Sequence, residues 1–187
     1  MNKLKNKKGG TIILLVIMLA FLFPFLVSSI LDLTNIHRLS KDLKNSLNVA
    51  VKSASSRIDW NSVPYGDFLI DENEARFVFL DLVNSNLEVP TVEQKENYYE
   101  YASPRTGNVL RYYVTFYNTP QSPTAVAFPD AGSVPAVITD YTPQIMVDRP
   151  TVYAVASIDY KLSPLLGNKV ITITQVAAAQ LNQVLHP

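Results

Sequence analysis

The sequence predicts an α+β fold in which a long N-terminal helix, first apolar and then amphipathic, packs on a small antiparallel sheet. Three observations carry that prediction. An uninterrupted apolar run fills residues 11–30, a stripe of apolar residues spaced by three and four continues it, and three later segments carry the two-residue repeat and the β-branched and aromatic residues of strands. The expected boundaries are a basic leader over 1–10, a transmembrane helix over 11–30, an amphipathic stem helix over 31–58 and an exported α+β head over 59–187. At 187 residues the chain suffices for one globular domain behind such a segment.

Residues Lys7 to Ile30 read KKGGTIILLVIMLAFLFPFLVSSI, and from Thr11 onward the only polar side chains are the hydroxyls of Thr11, Ser28 and Ser29. About 20 apolar residues cross a bilayer as a helix. Lys3, Lys5, Lys7 and Lys8 precede the run, which predicts a cytoplasmic N-terminus and an extracytoplasmic C-terminal domain; Arg38, Lys41 and Lys44 beyond it narrow that margin. The competing reading is a secretory signal cleaved after Ser29, with Pro24 near the end of its apolar core. The run exceeds the roughly 7 to 15 residues of such a core, which favours retention in the cell membrane.

Beyond the run, Leu33, Ile36, Leu39, Leu43, Leu47, Ala50, Val51, Ala54 and Ile58 fall on one helical face, and no Gly or Pro lies between Pro24 and Pro64. One helix from about Thr11 to Ile58, kinked at Pro24, is expected. Its stripe can dock under the protein's own head, lie on lipid headgroups, or pack on neighbouring subunits as well as on the head; continuity with the membrane helix favours docking and assembly. Leu33, Ile36, Leu39, Leu43 and Leu47 are the candidate assembly or docking stripe.

The turn-forming DWNSVPYG at 59–66 ends the stem. A second helix is expected over Glu72 to Asn86, opened by a capping box of Asp71 and Glu74, with Phe77, Leu80, Val83, Asn84 and Leu87 near helical spacing. Strands follow at Leu110 to Tyr117, Thr151 to Tyr160 and Lys169 to Val176, the last two joined by the hairpin connection LSPLLGN. From Asn118 through Pro150 six prolines and the acids Asp130, Asp140 and Asp148 predict an exposed acidic loop, with room for a short edge strand at Ala136 to Tyr141.

Formal net charge is zero, but Met1 to Ile58 holds nine Lys/Arg against Asp32 and Asp42, leaving seven basic residues against fourteen acidic ones. A basic stem thus precedes an acidic head, and nucleic acid is not an expected partner. No cysteine offers a disulfide framework, a thiolate metal site or a nucleophile. Neither His37 nor His186 belongs to a metal-spacing pattern, and no hydrolase elbow, phosphate loop or dinucleotide fingerprint occurs. Asp71, Glu72 and Glu74 read as a helix start rather than as an acid and base pair. Tyr98, Tyr99, Tyr101, Tyr112, Tyr113 and Tyr117 offer stacking surfaces for sugars, but aromatics in strands are ordinary sheet residues. No catalytic, cofactor-binding or metal residue is therefore expected, and the protein reads as a non-enzyme.

A basic start, KKGG, an apolar helix, an amphipathic extension and a small sheet resemble the type IV pilin-like subunits. The stretches LDLTNIHRLSKDLKNSLNVAVKSAS and VYAVASIDYKLSPLLGNKVITITQVAAA look most like the TadE-like minor pilins or pseudopilins of tight-adherence systems. The resemblance implies a pilin-like fold and a structural or accessory subunit of a bacterial pilus or secretion assembly. It also implies processing by a prepilin peptidase between Gly10 and Thr11, and partners that are the lipid bilayer and other pilin-like subunits or assembly-machinery proteins. Leu15 stands where many such subunits carry Glu, so an uncleaved, membrane-held subunit stays open. The alternative class is a membrane-tethered extracellular binding or adhesion module that uses the acidic, Pro-rich segment.

Overall fold

The computed structural model describes residues 3–90, 92–103, 106–118, 126–128, 133–139 and 144–181. A single helix, α1 (Lys3–Ser55), runs for 53 residues and carries Pro24 inside it. At 1.5 Å per residue it is about 80 Å long. It begins before Thr11 and ends short of Ile58, which instead forms an isolated antiparallel bridge with Ile70. That bridge, with Asp71 N–H donating to the Arg57 carbonyl, closes the turn region that follows the stem.

The second helix, α2 (Glu72–Asn86), has the predicted bounds. Asp71 Oδ1 accepts from the N–H groups of Asn73 and Glu74, both at 3.0 Å, so the N-cap forms. The capping box is only half made, because the Glu74 carboxylate turns to Arg57 at 3.2 Å. The inward face of α2 also differs from the expected spacing. Ala75, Phe79 and Val83 are buried, while Phe77 is 71% exposed. Residues 77 and 79 lie some 200° apart around a helix, so only one of the two aromatic rings can face the core.

Five strands form one antiparallel sheet in the order β1-β2-β3-β6-β7: β1 (Glu93–Gln94), β2 (Tyr99–Ala102), β3 (Val109–Tyr117), β6 (Thr151–Lys161) and β7 (Val170–Gln180). A separate pair joins β4 (Val126–Phe128) to β5 (Ile145–Val147). The three expected strands are the adjacent trio β3, β6 and β7, and β1 and β2 extend them at one edge. The C-terminal half of α1 lies across β6 and β7, with α2 beside it. Leu43, Leu47, Ala50, Val51 and Ala54 bury against Phe79 and Val83 of α2 and against Val152, Ala154, Ala156 and Ala177 of the sheet. The alanines keep that sheet face low enough for the stem to settle on it, and large residues on α1 fill the remaining volume.

β6 is buried on both faces from Thr151 to Ile158. Its second face, with Tyr153 and Val155, is covered by Val134, Ile138 and Val147. In the described parts of the Pro-rich connection Val134, Ile138, Val147 and Pro150 are buried, while Ser133, Ala136, Val137, Gln144, Asp148 and Arg149 are exposed, so the exposed-loop expectation is corrected only at the buried positions. The edge strand expected at Ala136 to Tyr141 is also corrected: 136–138 form a turn, with Ile138 N–H donating to the Pro135 carbonyl at 2.9 Å. Asp140 and Tyr141, like Asp130, lie outside the described residues.

Truncation of Leu47 to Ala should lower the unfolding free energy of the full chain in detergent micelles by about 2–5 kcal/mol, since it opens a cavity in a fully buried site. Phe77→Ala should change it by no more than about 0.5 kcal/mol, despite removing a larger side chain. Urea denaturation followed by far-UV circular dichroism measures both.

Candidate functional site

The polar contacts that join stem and head gather where the apolar run ends. Ser28, Asp32 and Asn35 are spaced by four and three, which places them on one side of α1. Facing them is the tip of the β6–β7 hairpin, where Pro164–Leu166 makes a 310 turn and Gly167 (φ 84°) and Asn168 (φ 53°) turn the chain through left-handed backbone. One Asp32 oxygen accepts the Tyr160 hydroxyl at 2.9 Å, and the other accepts the Ser163 N–H at 2.9 Å. Ser28 Oγ meets Ser163 Oγ at 2.5 Å, and Asn35 Nδ2 reaches the Tyr160 hydroxyl at 3.4 Å. Two turns further along, Gln175 Nε2 of β7 donates to Ser40 Oγ at 2.9 Å.

Asp32 is only 6% exposed, yet its charge is held by hydrogen bonds rather than by a Lys or Arg. The Ser163 N–H, chiefly, and the Tyr160 hydroxyl hold its carboxyl below the usual aspartate range, against the opposing effect of burial. Burial, with the Asp32 carboxylate beside it, pushes the Tyr160 hydroxyl up. The chemistry is that of a clamp. An anionic acceptor with two directed donors fixes both the rotation of α1 and the height of the hairpin along it.

A second network crosses the opposite face of the sheet. Arg111 Nε donates to Glu100 at 2.7 Å, its Nη1 donates to Asp159, and the Thr172 hydroxyl donates to the other Asp159 oxygen at 2.7 Å. Glu100 faces Arg111 directly in the ladder, and Asp159 faces Thr172. Burial alone would raise the Asp159 carboxyl; the bonds from Arg111 and Thr172 outweigh it and hold the group low. The network ties β2, β3, β6 and β7 in one register, because a slip of one residue would carry Arg111 onto the helix-covered face.

The expected docking stripe divides along its length. Leu43 and Leu47 are fully buried, Leu39 packs against the core, Ile36 is half-buried and Leu33 is 69% exposed. Gly10 and Thr11 are exposed on α1, and open space surrounds the position a Gly10 side chain would take. Asp71 caps α2 and Glu74 pairs with Arg57, so the acids at the helix start are occupied structurally. Tyr99 and Tyr112 stack with ring centroids 5.3 Å apart and are buried, and the Tyr112 hydroxyl donates to Asn84 at 2.8 Å. Tyr98, Tyr113 and Tyr117 pack on the outer cluster and Tyr101 on the main core. Tyr99 and Tyr112 thus serve packing, while the partly buried Tyr98 and Tyr113 also line an open cavity beside Arg76 and Thr115. His37 is exposed on the stem and His186 lies outside the described residues. Among the described residues no three His, Cys, Asp or Glu side chains gather as metal ligands. Comparison of the chain with protein-family models, with curated proteins and with solved structures finds no match.

Because the folded pKa of Asp32 is depressed, the stabilisation it gives the clamp is present above the ordinary aspartate value of about 3.9 and is lost as pH falls through the lower folded value. Hydrogen-exchange protection of the Ser163 amide, corrected for intrinsic rate, should therefore hold at neutral pH and vanish only on stronger acidification. Asp32→Ala should remove that protection at neutral pH while amides near Leu47 keep theirs.

Proposed function

We propose that the protein is a non-enzymatic, pilin-like structural or accessory subunit of a bacterial cell-surface assembly, held by one N-terminal transmembrane helix with the head outside the membrane. Among the described residues one helix is long and apolar enough to cross a membrane, with mean hydropathy 2.8 over its most apolar window. The observation that carries the proposal is the division of labour along this helix. Residues 10–27 are exposed and nearly all apolar, whereas the same helix further on is the central spine of the head. A side chain such as Leu19, 63% exposed, requires lipid or other helices around it. A helix whose bare half exchanges lipid for neighbouring helices suits a subunit that moves from membrane to bundle, since packing and dispersion drive helix association where lipid is the competitor.

Orientation follows from the Lys-rich N-terminus, and cleavage between Gly10 and Thr11 by a prepilin peptidase is part of the proposal. The exposed apolar residues just past the run, Leu31 and Leu33, would be the contact with neighbouring subunits; Leu43 and Leu47 are spent on the head.

Two substitutions separate these roles. Leu33→Asp should leave the head's thermal unfolding unchanged and abolish the high-mass cross-linked species formed by the protein in its native membrane. Leu43→Asp should unfold the head itself. Normal cross-linking of Leu33→Asp would count against the subunit reading.

A further inference from the structure

The clamp brings the tip of the β6–β7 hairpin to the last turn of the apolar run, and the tip is greasy and basic. Ser163 bonds Ser28, two residues before the run ends at Ile30, and the turn Pro164–Leu166 touches α1. Leu165 in that turn is 59% exposed and Val170 just after it 60%, and Lys161 and Lys169 flank them in the open. In a sheet whose other large apolar residues are largely covered, three exposed aliphatic side chains at one end, Leu165, Val170 and Ile171, require a reason.

We infer that this hairpin tip is a second membrane contact, in which Leu165 and Val170 enter the interfacial layer of the bilayer and Lys161 and Lys169 meet anionic lipid headgroups. The inference rests on the reading of residues 11–30 as the membrane span. A helical span of that length matches the hydrocarbon core of about 30 Å, and the headgroup layers add roughly 5 to 8 Å on each side. Ser28 then lies at the boundary of the hydrocarbon, and the hydrogen bond to Ser163 fixes the tip at the same depth. The pattern of aliphatic residues with flanking lysines suits an interfacial element, because a Lys stem extends along apolar surface while its ammonium reaches phosphate. Among the described residues the opposite end of the head, with Trp60 and Tyr65 past the end of α1, has no such anchor to the span. A two-point attachment holds the head upright on the membrane, whereas a helix alone leaves it free to tilt.

The absence of cysteine permits single-site labelling of the full chain. Nitroxide labels at Leu165→Cys, Leu19→Cys and Tyr65→Cys are compared in vesicles of phosphatidylcholine and phosphatidylglycerol. Collision with oxygen reports lipid, and collision with a water-soluble nickel chelate reports water. The expected result is an oxygen-to-nickel ratio at 165 several-fold above that at 65 and approaching that at 19. In the Lys161→Gln, Lys169→Gln double variant the ratio at 165 should fall. A ratio at 165 equal to that at 65, with 19 in lipid, overturns the inference and leaves the span intact. A label at 165 shielded from both agents, with 19 in lipid, also overturns it, because the tip is then covered by protein. Water-like ratios at all three positions overturn the span reading itself.

Discussion

A single helix that must satisfy two different surroundings constrains everything else in this protein. Over residues 10–27 the side chains of α1 are exposed among the described residues, and from Leu43 onward its apolar face is completely enclosed. The transition is made within a few turns by side chains that manage polarity locally. Ser29 and Thr34 return their hydroxyls to the carbonyls four residues back, at 2.8 Å each, so they demand nothing from outside the helix. Ser28 and Asp32 instead point their polar atoms at the hairpin. The helix is thereby handed from one environment to the other without leaving its ladder.

The head is arranged around that helix. The alanines of β6 and β7 provide a shallow bed, and α2 closes one flank with Phe79. Asn118 receives the Ile70 N–H and donates to the Ile70 carbonyl, both at 2.8 Å, fastening the start of α2 to the end of β3. Arg76 of α2 lies over the Phe116 ring at 5.2 Å to its centroid, a second tie between the same elements. On the far side of the sheet, the Arg111 network and the cluster around Tyr153 prevent β6 from sliding against its neighbours. Fixed register matters here because the clamp residues Tyr160 and Ser163 sit at the end of β6 and just beyond it. Any slip in the sheet would lift them away from Asp32.

Local signals were readable in the residues, and non-local ones were not. The bounds of α2 follow from Asp71 as its cap, and the two-residue repeat assigns the faces of β3, whereas β6, buried on both faces, was legible as a strand from its β-branched and aromatic residues. β1 and β2 escaped because EQ and YEYA are too short to establish a repeat, although Tyr99 and Tyr101 do alternate with Glu100. The Pro-rich connection looked solvated on composition, although Val134 and Ile138 find a buried place against Tyr153 and Val155. Asp32 was legible only as one of two acids in a basic stem. Its partners lie 128 and 131 residues further on, a separation no local pattern encodes. An isolated acid directly beside a membrane-length run, with Ser28 and Asn35 on the same helical side, is the signal that could have marked it.

The unbroken passage of α1 from the bare run into the head is best tested by a distance. Spin labels at Leu19→Cys and Val49→Cys occupy exposed positions on either side of the clamp. In the full chain reconstituted in nanodiscs, a continuous helix gives one narrow distribution by double electron–electron resonance, centred near about 45 Å at 1.5 Å per residue. A broad distribution, or one centred well below about 35 Å, would mean that the apolar run and the stem are separate elements joined by a hinge, and would contradict the shared-helix architecture.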